Sequence, residues 1–346
     1  MQTSINENRV SELFANIPGK RIAVIGDVML DQYFWGSVSR VSPEAPVPVV
    51  EVNSDSVRLG GAANVANNIT ELGAQSLLIG ITGDDANGEI LFSLMHDAGF
   101  TTDGLIKDPS RPTTIKTRVI AHSQHVVRFD RENTQDVNSQ VAQQIINILK
   151  ANIDNLDGIL LQDYNKGVFT KNIINEISHI ARNKNKLVTV DPKFNNFFEY
   201  RDVTVFKPNR RELEQAFGTP LRSDADYELY GTELLRRFRA EYVLITRGEY
   251  GMTLIENNST VHHVPTRTKT VADVSGAGDT VIATLTTLLA AGGSVHEAAS
   301  IANFAGGIVC EEIGIVPINR KRLLETMIRF ERDNSEEISK ASVHNG

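Results

Sequence analysis

The sequence predicts an α/β fold built on a mostly parallel sheet. Three observations lead there: short Val/Ile-rich runs recur along the chain, segments of helical period lie between several of them, and the stretch after residue 279 reads as helix alone. The runs fall at 22–25, 77–81, 159–161, 187–190, 203–206 and 243–245. Each is short and nearly continuous, as suits a strand buried on both faces. The helical segments fall at 62–72, 88–98, 141–151, 171–182 and 227–239, so a sheet covered on both sides is expected.

Two stretches break the alternation. Residues 47–52, preceded by Ser-Pro-Glu-Ala-Pro, and residues 113–131, polar in the middle at 122–124, read as antiparallel strands and a hairpin. No linker separates them from the rest. They are expected to form a lid, about 33–53 and 112–131, on a single domain of residues 1–332. Helices are expected over 294–312 and 320–330, followed by a polar, frayed tail from 333 to 346.

Composition narrows the function classes. A net charge of −8 disfavours a broad footprint for nucleic acid or anionic membrane and leaves small molecules as partners. The polar start at 1–10 has no apolar signal core, and no run of about 18 apolar residues occurs, so a cytoplasmic protein is expected. The single cysteine, Cys310, sits in an apolar stretch and reads as a buried thiol of a reducing compartment.

Polar groups gather where strands end, the edge at which open α/β sheets bind ligands. Gly26-Asp27 and Asp31 follow the first strand, and Gly60-Gly61-Ala62-Ala63-Asn64 opens a helix at which a sugar-sized ligand can lie against the backbone. Asp163 and Lys166 follow the run at 159–161, and Asp191 and Lys193 the run at 187–190. Asn209 and Glu212 have the spacing of a capping box, which is as good an account of them as phosphate or metal binding. Thr246-Arg247-Gly248 ends another strand.

The most informative motif is Asp-Val-Ser-Gly-Ala-Gly-Asp-Thr at 273–280, directly before an alanine-rich helix. Backbone N–H groups at a helix start lack internal partners and face the positive end of the dipole. Gly276, Ala277 and Gly278 therefore make an anion cradle, with Asp279 beside it as a base. A tight turn with a first-turn carboxylate accounts for the same eight residues. The chain has no Gly-x-x-x-x-Gly-Lys loop and no Gly-x-Gly-x-x-Gly turn, and its His122-x-x-His125 falls in a hairpin. A P-loop enzyme, a dinucleotide dehydrogenase and a zinc hydrolase are thereby disfavoured.

The order Gly-Gly-Ala-Ala-Asn, Lys-Pro-Asn-x-x-Glu, Thr-Arg-Gly, Gly-Ala-Gly-Asp resembles the ribokinase-like (PfkB) carbohydrate kinases over about residues 20 to 330. Within them, 26–31, the Ser-Pro-Glu-Ala-Pro-Val-Pro-Val segment and 273–280 look most like the D-glycero-β-D-manno-heptose 7-phosphate kinases, which serve ADP-heptose and lipopolysaccharide synthesis. Many relatives carry a fused nucleotidyltransferase. This chain ends at 346 without His-x-Gly-His, so the kinase half alone is expected.

The resemblance implies a three-layer fold with a β lid, ATP and Mg²⁺ as cofactors, and Asp279 as base, with Gly276, Ala277 and Gly278 as anion hole. It implies Lys193, Asn209, Glu212, Thr246, Arg247, Gly248 and Asn303 on the nucleotide side. Asp31, Gly60, Gly61, Asn64, Arg128, Asp163 and Lys166 would surround a sugar phosphate. A kinase of another hexose, hexose phosphate or nucleoside is the nearest rival, and a non-catalytic sensor a more distant one. A monovalent cation at the loop before Asp279 is left open. Phe34, Val47 and Val49 on the lid offer an apolar edge for a homodimer.

Overall fold

A computed structural model of the chain describes residues 5–344 apart from 123, 259 and 267–270, with side chains as far as residue 333. Its first elements are α1 (Glu7–Ala15), β1 (Arg21–Gly26), β2 (Val28–Val41), β3 (Pro48–Gly61), α2 (Ala62–Glu71), β4 (Gln75–Thr82), α3 (Ala86–Asp97) and β5 (Leu105–Lys107). Next come β6 (Thr114–Ala121), β7 (Gln124–Arg131), α4 (Ser139–Asn152), β8 (Gly158–Gln162), α5 (Lys171–Asn183), β9 (Leu187–Asp191) and β10 (Val205–Phe206). The chain continues with α6 (Arg210–Phe217), α7 (Asp224–Phe238), β11 (Tyr242–Thr246), β12 (Met252–Glu256), β13 (Val261–Val264), α8 (Ala277–Ala290), α9 (Val295–Val309) and α10 (Arg320–His344).

Nine strands form one sheet in the order β13-β12-β11-β10-β9-β8-β1-β4-β5, parallel except for β12 and β13. Alternate residues of each strand enter different cores. Val24, Leu78, Leu160 and Leu244 pack with α2, α8 and α9, while Ile25, Ile79, Leu161 and Val243 pack with α4, α5 and α7. The expected three layers follow. No helix among the described residues is long and apolar enough to cross a membrane.

A second sheet, β3-β2-β6-β7, rises from the first with only Asp27 between β1 and β2. The antiparallel β2–β3 ribbon runs from Val28 to Gly61 and so begins earlier and ends later than the expected 33–53. It meets β6 in parallel, and β6 pairs with β7 in the expected hairpin.

Three other features add to or depart from the expectations. The polar N-terminus contains α1, capped by Asn6 (2.8 Å to the Arg9 N–H), and buries Val10, Leu13 and Phe14. The antiparallel edge strands β12 and β13 are not among the expected strands, because Val261–Val264 carries two histidines in four residues and shows no apolar run. At the other end, α10 runs on to His344 in place of the expected frayed tail from 333.

Candidate active site

The order in which strands are added reverses between β1 and β8, since β4 is laid down on one side of β1 and β8 on the other, all three parallel. Crevices open at such a point outside the carboxyl ends of strands. The N-termini of α2 and α8 face each other across it, linked by a hydrogen bond from Asn64 Nδ2 to Asp279 Oδ2 (2.8 Å). Both helices begin at a glycine with no side-chain cap, whereas α3, α4, α5 and α9 are capped by Asp85, Asn138, Thr170 and Ser294.

Asp279 is 3% exposed. Its Oδ1 accepts from the Tyr164 hydroxyl (2.5 Å) and from Gln162 Nε2 (3.3 Å). Burial raises its pKa to about 6, against the pull of the Tyr164 and Asn64 hydrogen bonds. Burial also pushes the Tyr164 phenol well above its ordinary value, so it stays a neutral donor. Tyr164 is placed by Asp27, whose carboxylate accepts from the backbone N–H groups of Tyr164 (2.7 Å), Lys166 (3.1 Å) and Val168 (3.2 Å). Asn64 is placed by Asn68, whose Nδ2 donates to Asn64 Oδ1 (3.2 Å) and whose Oδ1 accepts from Thr280 Oγ1 (3.0 Å).

Gly276, Ala277 and Gly278 stand at the start of α8, where the cradle is expected. Gly276 adopts φ +80, a left-handed conformation that glycine takes freely. The Ala277 N–H donates to the Val274 carbonyl (3.3 Å), while those of Gly278 and Asp279 have no carbonyl a turn earlier in the helix. Gly61 is the more constrained glycine of the pair of helix starts, at φ 55 and ψ −132, where an added Cβ would stand 2.5 Å from the Asp27 carbonyl. Gly61→Ala is expected to lose about 1–3 kcal/mol and, by shifting α2, to loosen Asn64 from Asp279. Urea denaturation measures it, and a loss under roughly 0.5 kcal/mol contradicts it.

On one side of Asp279 lies a pocket of about 770 Å³ lined by Lys193, Asn209, Thr246, Arg247, Gly248 and Asn303 together with Gly276, Ala277 and Gly278. Six of the seven expected nucleotide-side residues therefore meet. The seventh, Glu212, sits behind them: it closes a capping box with Asn209 and ion-pairs with Lys193. Burial raises the Glu212 carboxyl, and Asp191 and Glu212 hold Lys193 above its ordinary value. Arg247 turns its guanidinium to Asp224 (2.7 Å), Thr253 Oγ1 (3.0 Å) and the face of Tyr227 (4.1 Å). Asn303 donates to the Pro265 carbonyl (2.7 Å). The expected cation loop includes residues 267–270, which lie outside the described residues.

On the other side, at the root of the small sheet, Asp31 is buried and ion-paired with Arg118. Gly60 pairs with Met29 in the adjoining ribbon. Burial raises the Asp31 carboxyl and Arg118 opposes the rise. Lys166 (15% exposed) pairs with Glu132 at 2.8 Å. Lys116 projects near it: burial and the Lys166 charge lower its pKa, and its Nζ stands 5.4 Å from the Tyr164 ring centroid, with Lys193 at 5.3 Å from the same ring.

Two expected sugar-side residues are placed differently. Asp163 turns into the core, where it accepts from the Tyr200 hydroxyl (3.0 Å) and the Asn165 N–H (2.8 Å). Arg128 is on the edge strand, 56% exposed and paired with Asp130 at 3.0 Å, while Arg118 on the interior strand beside it is buried. Sequence reading also misses Gln162, Tyr164, Lys116 and Lys207. The last is 2% exposed and paired with Asp191 (3.1 Å) at the pocket wall.

Comparisons with known proteins bear on the family and the fold. Residues 20–321 match the pfkB family carbohydrate kinase signature. The bifunctional protein HldE of Geobacter sulfurreducens is 39% identical over 323 residues, 93% of this chain and 66% of its own length. The chain spans about two thirds of the length of the curated relatives it matches. Escherichia coli phosphofructokinase-2 in complex with potassium superposes with a TM-score of 0.74 at 17% identity, covering 90% of this chain and 99% of the other. Arabidopsis thaliana ribokinase complexed with ribose and ATP gives 0.68 at 17% identity, covering 89% and 99%. At these identities the structural likeness concerns the fold. With the signature running over most of its length, the chain belongs to the pfkB family of carbohydrate kinases, phosphotransferases that act on sugar hydroxyls.

Proposed function

We propose that the chain transfers the γ-phosphoryl group of ATP to the anomeric hydroxyl of D-glycero-β-D-manno-heptose 7-phosphate, giving the 1,7-bisphosphate for ADP-heptose and lipopolysaccharide precursor synthesis in the cytoplasm. The observation that carries the reading is the position of Asp279. It joins a nucleotide-sized pocket on one side to a group of cations on the other. Relatives named HldE at about 40% identity support the heptose over other sugars, and a neighbour complexed with ribose and ATP supports the nucleotide.

Phosphoryl transfer asks for alignment and charge stabilisation more than for covalent work by the protein. The sugar oxygen bonds to the γ-phosphorus as the bond to the bridging oxygen breaks, ADP leaves, and the hydroxyl proton passes to Asp279. Tyr164, Gln162 and Asn64 fix the direction of the Asp279 carboxylate, and the first-turn amides of α8 face the transferring group. Asp191 and Asn209 bring oxygens to the pocket wall, with Glu212 behind them on Lys193, a setting that suits Mg²⁺ held largely through phosphates and water. Mg²⁺ there would neutralise phosphate charge. By extension from the potassium-bound neighbour, a monovalent cation would support the segment before Asp279.

We read residues 1–332 as one kinase domain and the small sheet as its lid, excluding water from the reaction. Val41, Val52, Val127 and Phe129 on that sheet and Val47 in the turn between β2 and β3 are exposed and offer a homodimer contact. Phe34 and Val49 are half-buried there.

ADP release measured with heptose 7-phosphate, fructose 6-phosphate and ribose tests the substrate. The heptose is expected to give the highest kcat/KM, and a preference for either other sugar overturns the assignment. Lys116→Met and Lys166→Met are each expected to raise KM for the phosphorylated sugar at least about tenfold, as loss of a charge-assisted hydrogen bond predicts. The exposed Arg128→Ala is expected to do less. Unchanged KM in both lysine variants relocates the sugar phosphate.

A further inference from the structure

Glu256, His262 and His296 meet at the outer edge of the large sheet, and none of the three lines the nucleotide pocket. Glu256 ends β12 and His262 lies in β13. The hairpin between them closes with the Glu256 N–H on the Thr260 carbonyl (2.9 Å). His262 stands opposite Leu254, two residues before Glu256, so the two side chains share a face as diagonal neighbours. His263 points to the other face, where it approaches Glu228 at 3.8 Å. The first turn of α9 brings His296 over the shared face.

The Nε2 atoms of both histidines converge on one oxygen: Glu256 Oε1 lies 2.9 Å from His262 Nε2 and 3.2 Å from His296 Nε2. The two rings are 4.4 Å apart and inclined at 78°, so their edges meet without stacking. Two hydrogen bonds account for these contacts when both imidazoles carry a proton on Nε2. The same three atoms, all within 4.8 Å of one another, also have the separation of ligands around one ion. Tetrahedral ligands with bonds of about 2.0–2.1 Å sit about 3.3 Å apart; both Glu256-to-histidine separations, 2.9 and 3.2 Å, lie close to that, and the ligand atoms of the group are all within 4.8 Å of one another.

We propose that Glu256, His262 and His296 bind one divalent transition-metal ion of the zinc class and clamp the β12–β13 hairpin to the start of α9. Two imidazoles and one carboxylate suit Zn²⁺, Co²⁺ or Ni²⁺ and not Mg²⁺ or Ca²⁺, which take oxygen ligands. The side chains are 18%, 35% and 26% exposed for Glu256, His262 and His296, so water reaches the fourth position. The clamp has a mechanical consequence. Just past β13, the Pro265 carbonyl accepts from Asn303 of the same α9, so the ion and this bond tie the two elements at two points beside the nucleotide pocket.

The test is binding, so its failure leaves the kinase reading intact. Chelator-treated protein in millimolar MgCl₂ is titrated with Co²⁺ and with Zn²⁺, following visible absorption, calorimetric stoichiometry and Tm. One ion per chain is expected, with a Tm that rises with metal concentration. His262→Ala, His296→Ala and Glu256→Gln should each weaken binding at least tenfold, and His263→Ala should leave it unchanged. Kinase turnover, which uses none of these residues, reports that each variant is folded. Absence of a stoichiometric site in the unsubstituted chain overturns the proposal whatever the variants do. So does undiminished binding in His262→Ala or His296→Ala.

Discussion

Asp279→Asn is expected to lower kcat about 10²–10⁴-fold while the fold and nucleotide binding persist. The carboxylate accepts from three donors, Tyr164, Gln162 and Asn64, and an asparagine must turn its amide nitrogen toward one of them. Placed at the Oδ1 position, it donates to the Tyr164 phenol, which accepts as readily as it donates, and only the long Gln162 contact (3.3 Å) is lost, while Gln162 Nε2 keeps its bond to Asp191 Oδ2 (3.2 Å). Folding is therefore preserved and only the proton acceptor is lost.

Stability follows from the sign of the pKa shift. A buried carboxyl raised to about 6 binds its proton more tightly folded than unfolded. The stability this contributes is fully present below the ordinary value of about 3.9 and is lost as pH rises through about 6. At pH 7 or above, the neutral asparagine should thus be at least as stable as the native aspartate, and near pH 4 the difference should vanish. In the native enzyme kcat/KM should fall tenfold per pH unit below about 6, as the base becomes protonated. Turnover in Asp279→Asn within tenfold of the native value removes Asp279 as the base.

The large sheet was legible because strands buried on both faces write continuous Val/Ile runs, as at 22–25 and 77–81. The edge strand Val261–Val264 is half solvated, and its two histidines disguise it. The glycine-opened helix starts were legible for a different reason. Close approach to the backbone restricts residue type locally, and both Asn64 and Asp279 lie within such motifs.

What the sequence hides is partnership across long separations. Tyr164 and Gln162 reach Asp279 from 115 and 117 residues away, out of ordinary strand-end sequence. Reading Asp163 as the site residue misses by one position: at the end of β8 it turns to Tyr200 in the core, and its neighbour Tyr164 faces Asp279. Arg128 and Arg118 are register partners, and nothing local to either tells which is buried. Only the strand order shows that Arg118 is on an interior strand beside β2 and Arg128 on the edge.

Lys207 is the extreme case of a hidden residue, and Lys207→Met should have the largest effect on stability. Between a two-residue strand and a proline it reads as a solvated lysine, yet its N–H joins the ladder at the Val190 carbonyl and its ammonium is 2% exposed against Asp191. Asp191 accepts from Gln162 as well (3.2 Å), and its charge raises the carboxyls of Asp279 and Glu212. Asp191 and Asp279 share this wall with Lys193 and Lys207, and Glu212 stands behind Lys193. Methionine fills nearly the volume of lysine, so packing changes little and the loss is electrostatic.

Removing one member of a buried pair costs about 3–5 kcal/mol, because the other charge is left without compensation. The attraction itself is offset by desolvation. Lys207→Met combined with Asp191→Asn should accordingly recover most of the stability lost by Lys207→Met, since the substituted amide can still accept from Gln162 through its oxygen. Denaturant midpoints for the native chain, both single variants and the double variant close the cycle. A single-variant loss under about 1 kcal/mol would place the pair in solvent, and a double variant no more stable than Lys207→Met would mean that the ammonium supports the fold through something other than the charge of Asp191.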